Sequence, residues 1–113
     1  MFNDIVEIKL NDKKYNARLD MGAIANAQNN LQKTKKNMTV VEMFNNVGEE
    51  NYSVINNLII ESIRRCHPQL NAENILEDMK LKEKDHITLQ VYELMKVALP
   101  MDENDKKKVM EDQ

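Results

Sequence analysis

From Ile5 to Leu10 the chain alternates Val6, Ile8 and Leu10 with Glu7 and Lys9, a period of two that predicts a strand buried on one face. A polar break at Asn11 to Lys14 follows. Tyr15, Ala17 and Leu19 then alternate with Asn16, Arg18 and Asp20, so the two runs predict a β-hairpin whose turn centres on Asn11-Asp12. An isolated hairpin is marginal in water, so its apolar face must be covered by later segments.

Beyond Asp20 the period changes to that of a helix. Asp20 can cap a first helix over about Met21 to Gln32, with Met21, Ile24, Ala27 (or Gln28) and Leu31 at helical spacing. Lys33 to Met38 is a polar connector. Thr39-Val40-Val41-Glu42 has the form of a capping box and opens a short helix ending near Gly48, which suits a left-handed C-cap. From Glu50 to about Cys66, Tyr52, Ile55, Leu58, Ile59 and Ile63 make one stripe, widened by Val54 and Ile60, and Pro68 ends it. Asn71 can cap a helix over Ala72 to Met79, and Asp85 another over His86 to Leu99, where Ile87, Val91, Leu94, Met95 and Ala98 share a face and Pro100 closes it. The expected architecture is α+β, an N-terminal hairpin packed on a mainly helical bundle of about five helices. Residues 1–100 are expected to form a single domain, with 101–113 a charged, flexible tail.

Composition narrows the function. A chain of 113 residues that is 42% hydrophobic and 31% charged has enough apolar material for one core and not for two. A formal net charge of -3 argues against duplex nucleic acid, since only Lys33, Lys35 and Lys36 form a basic run. The longest apolar stretch is of the order of Leu58-Ile59-Ile60, far below a membrane span, and Met1-Phe2-Asn3-Asp4 does not open like a signal peptide. Cytoplasmic residence is the expectation, and the lone Cys66 fits a reducing compartment.

Candidate chemistry is sparse. Cys66, His67 and His86 are too few and too scattered for a metal site, Cys66-His67 lacks an orienting third group for nucleophilic catalysis, and Gly22 and Gly48 form no phosphate loop. No enzyme activity and no cofactor are expected. Eight methionines are the compositional oddity. Methionine adapts to irregular surroundings, so core filling is the expected role of Met21, Met43 and Met95, with Met38 and Met79 open between core and contact surface.

The segment from Glu7 to Gln28, and within it Arg18, Leu19, Gly22, Ala23, Ile24 and Ala25, resembles the start of tail assembly chaperones of siphophages and gene-transfer agents. The resemblance spans about Ile5 to Arg65 and departs in Asn26 and Gln28, where acidic residues are usual. It implies a non-enzymatic protein that binds the tape measure protein, and the tail tube protein as a second partner, in the cytoplasm of a bacterial host. Met21, Ile24 and Leu31 of the first helix, with Met38 and Met43 beside them, are the expected contact residues. The resemblance also implies a form lengthened by ribosomal frameshifting, for which Lys106-Lys107-Lys108 is a candidate slip site. Two other classes stay open on the sequence alone: a structural virion component such as a head-tail connector or tail-completion protein, and a small regulator that binds nucleic acid through Lys33 to Lys36. Oligomeric state is open as well, a homo-oligomer included.

Overall fold

The computed structural model describes residues 4–33 and 38–99. Most of the Lys33 to Met38 connector, the tail 101–113 and its Lys106-Lys107-Lys108 run therefore lie outside the described residues. Within them the chain is α+β: strands β1 (Ile5–Leu10) and β2 (Lys13–Arg18) are followed by helices α1 (Met21–Leu31), α2 (Val40–Gly48), α3 (Tyr52–Cys66), α4 (Ala72–Leu76) and α5 (Lys84–Ala98). A single 3-10 turn at Leu81–Glu83 leads into α5.

The hairpin is antiparallel, with Leu10 opposite Lys13, Ile8 opposite Tyr15 and Val6 opposite Ala17. Its turn is the two residues Asn11 and Asp12, and Asn11 takes the left-handed conformation at φ 57° that its short polar side chain tolerates. Alternation puts Val6, Ile8, Leu10, Tyr15 and Ala17 on one face, where Ile8, Leu10 and Ala17 are fully buried. α3 packs on that face along β2 and also touches α1, α2, α4 and α5, which makes it the centre of the fold. Its Val54, Ile55, Leu58, Ile59 and Ile63 are completely buried, as the stripe predicts.

α1 begins where Asp20 accepts a hydrogen bond from Ala23 N–H at 2.9 Å. The same carboxylate accepts from Arg65 Nε of α3 at 3.0 Å. Burial works against its charged form, but the Ala23 amide and Arg65 more than offset it and hold the Asp20 carboxyl below its ordinary value. Gly22 makes this contact possible, because a Cβ there would lie 2.8 Å from Arg65 Cζ. Ala23, Ala27 and Leu31 then form a narrow stripe that lets α1 lie close against α3.

Several helix ends differ from the sequence reading. Gly48 is the last helical residue and has no positive φ; the left-handed position falls on Glu50, at φ 60°. Asn51 N–H reaches Asn46 O at 3.0 Å and Glu50 N–H reaches Val47 O at 3.2 Å, the paired bonds of a Schellman ending. Asn71 does cap α4, reciprocally with Asn74, but the helix stops at Leu76 instead of Met79. Asp85 is not the cap of α5: the 3-10 turn runs directly into the helix at Lys84, leaving Asp85 in the first turn, paired with Lys84 Nζ at 2.9 Å.

The hairpin's edges are closed by side chains rather than strands. Lys9 faces Lys14 at a position where its own N–H and C=O point away from β2. Gln90 of α5 meets both groups: its Oε1 accepts from Lys9 N–H at 2.7 Å and its Nε2 donates to Lys9 O at 3.0 Å. Glu83 accepts from Asn11 N–H at 3.0 Å, and on the opposite edge His67 Nε2 accepts from Asn16 N–H at 3.2 Å.

Candidate docking cleft

The five expected contact residues separate in the structure. Met21 is 83% exposed at the start of α1, which corrects the expectation that it fills the core: the buried side of α1 is the Ala23-Ala27-Leu31 stripe, and Met21 falls off it. Ile24 is half-buried against the core. Leu31, Met38 and Met43 are buried, so as placed they serve packing rather than an accessible contact face. Met38 is held there by its backbone, since Gln32 Oε1 accepts from its N–H at 3.2 Å and Gln28 Nε2 donates to its C=O at 3.0 Å.

Other apolar side chains are exposed. Leu81 is 80% exposed in the turn before α5. Leu89 and Tyr92, three residues apart and therefore neighbours on a helix, are exposed on the outer side of α5. Beside Leu81 is an open cleft of about 150 Å³. Tyr52 and Asn56, one turn apart on α3, form one wall; the segment Met79 to Leu81, with Lys84 and Ile87 of α5, forms the other.

The polar groups of this cleft are partly engaged. The Tyr52 hydroxyl is buried and has no hydrogen-bond partner among the described residues, an arrangement that costs about 1–3 kcal/mol. No hydrogen bond of the Asn56 side chain occurs among them either, and Lys80 makes no ion pair at contact distance there, although its charge acts on the Asp78 carboxylate. Lys84 is engaged, with Asp85 at 2.9 Å and Glu50 at 3.9 Å, and Asp85 foremost holds its ammonium above the ordinary value. Tyr52 is the first residue of α3 and Lys84 the first of α5, so both 15-residue helices begin at the cleft with their partial positive ends.

A second polar cluster is structural. Tyr15 donates to Asp78 Oδ2 at 2.7 Å, Lys13 Nζ lies 3.3 Å from the same oxygen, and the Tyr15 and His67 rings meet edge to face with centroids 5.8 Å apart. Burial and then the Asp78 hydrogen bond push the Tyr15 hydroxyl up to about 12, while the Tyr15 hydrogen bond, ahead of Lys13, holds Asp78 below its ordinary value. The cluster ties β2 to the segment after α4. Cys66 is half-buried beside it with a free thiol. No group of three His, Cys, Asp or Glu side chains among the described residues could hold a metal ion, and no helix among them is long and apolar enough to cross a membrane.

Sequence reasoning missed the cleft. The available signal was Leu81, an apolar residue that falls between the predicted helices. No protein-family model, curated protein or solved structure matches the chain.

Proposed function

We propose that the chain is a non-enzymatic binding protein, a tail assembly chaperone that holds the tape measure protein in the bacterial cytoplasm until tail tube subunits cover it. The identity of the partner rests on the resemblance of Arg18, Leu19 and Gly22 to Ala25 to that family. The observation that carries the binding role is the exposure of Leu81 at the lip of an open cleft, with Leu89 and Tyr92 also exposed on α5. A long helical partner exposes apolar stripes before assembly, and an apolar patch with a groove is a surface on which such a stripe can lie. Co-expression with a cognate tape measure protein raises the soluble yield of that protein, and the two co-elute on gel filtration. An unchanged yield without a complex removes this reading.

A further inference from the structure

We infer that the outward face of α5 pairs with the same face of a second copy of this chain, the two helices running antiparallel in a weak, closed dimer. This pairing goes beyond the chaperone reading and does not depend on it.

The buried side of α5 is formed by Ile87, Gln90, Val91 and Leu94. At about 100° per residue, Asp85, Leu89, Tyr92, Lys96 and Leu99 fall near one line on the opposite side. All five are exposed, Leu89 at 63%. The outer face of a surface helix is ordinarily polar, whereas this one carries two leucines and a tyrosine. Tyr92 is held against the end of α2, its hydroxyl 3.3 Å from where a Cβ on Gly48 would lie. Lys84 and Ile87, the α5 residues of the cleft, stand off this line, so the cleft stays open in the pair.

The order of residues along the stripe names its occupant. From Asp85 through Leu89 and Tyr92 to Lys96 it runs acidic, apolar, apolar, basic. Asp85 and Lys96 stand equally far on either side of the midpoint between Gln90 and Val91, and so do Leu89 and Tyr92. A two-fold axis at that midpoint sets Asp85 against Lys96 of the second copy and Leu89 against its Tyr92, each contact made twice, as an isologous interface requires. Parallel pairing sets Asp85 against Asp85 and Lys96 against Lys96. Lys96 makes no ion pair among the described residues. Asp85 meets Lys84 Nζ through Oδ1 at 2.9 Å, and its side chain is 83% exposed, which leaves Oδ2 for a second ammonium. A helix of 15 residues is about 22 Å long, so the pair buries less than a standard interface, and a dissociation constant on the order of 100 μM is expected.

Sedimentation equilibrium of the full-length protein over a concentration series tests this. Wild type passes from monomer to dimer and no further, since an isologous contact closes, and added salt weakens the dimer. Asp85→Lys alone and Lys96→Glu alone each weaken it about tenfold, because two attractive pairs become repulsive. The double variant carrying both changes dimerises like wild type, and an equimolar mixture of the two single variants forms a mixed dimer. Leu89→Asp removes the dimer with the fold intact by circular dichroism; all three positions are exposed, so folding tolerates these changes. A wild type still monomeric at about 1 mM overturns the pairing. So do single charge variants that dimerise like wild type, or a double variant that fails to recover. A monomer that still solubilises the tape measure protein leaves the chaperone reading standing, and a dimer that does not solubilise it leaves the pairing standing.

Discussion

Replacing Gln90 by alanine removes the one side chain among the described residues that meets the outward N–H and C=O of Lys9. Two hydrogen bonds are lost, each with a net value of about 1 kcal/mol. Gln90 is only 8% exposed, so water reaches the freed Lys9 groups poorly and a desolvation cost of about 1 kcal/mol is added. The sum is about 3 kcal/mol, which for a domain of about 100 residues lowers the melting temperature by roughly 15 °C. Urea titration followed by circular dichroism at neutral pH measures it. Gln90→Glu sharpens the test: the introduced carboxylate still accepts from Lys9 N–H but turns a second oxygen toward Lys9 O, where the amide donated. Its protonated form can donate, so this variant recovers stability relative to wild type as pH falls. A loss under about 1 kcal/mol for Gln90→Ala, or no acid recovery for Gln90→Glu, would refute the view that Gln90 substitutes for a third strand.

Leu58→Ala, at the fully buried middle of α3, costs about 2–5 kcal/mol in chemical denaturation, and a loss under about 1 kcal/mol contradicts its packing. Glu50→Gly stabilises by about 1 kcal/mol because the left-handed position after α2 then carries no Cβ; its ion pair with Lys84, at 3.9 Å between exposed groups, offsets little. A measured destabilisation removes that reasoning. The stability supplied by Tyr15 is complete below its unfolded value near 10 and is lost as pH rises through about 12, so Tyr15→Phe flattens the alkaline limb of a stability-pH curve. For Asp78 the sign is opposite, with stability lost as pH falls through its lowered value, and Asp78→Asn flattens the acid limb.

What could be read from the sequence was what depends on near neighbours. The alternation around Ile8 and Ala17, the caps at Asp20, Thr39 and Asn71, and the stripe from Val54 to Ile63 are set by periods of two and 3.6 and by groups within three residues of one another. Met43 fills the core as expected, but Met21 came out exposed because spacing on one helix does not say which side faces α3, and Met38, left open by the sequence, is buried through the side chains of Gln28 and Gln32. The helix α2 ends at Gly48 as expected, but its left-handed position falls on Glu50, because the bonds to Asn46 and Val47 outweigh a residue preference of about 1 kcal/mol. The cleft was out of reach, since Tyr52, Lys80 and Ile87 meet only after α3 and α5 pack.

The clamp on Lys9 also bears on how the chain is made. Synthesis delivers the hairpin first and α5 last of the described elements, and the Lys9 to Gln90 bonds join positions 81 residues apart. Until Gln90 emerges, the outer edge of β1 is an open row of donors and acceptors, free to recruit a strand from another nascent chain. The last helix is thus a latch on the first strand. A chain truncated before α5 is expected to accumulate as strand-paired aggregates rather than as a smaller folded domain.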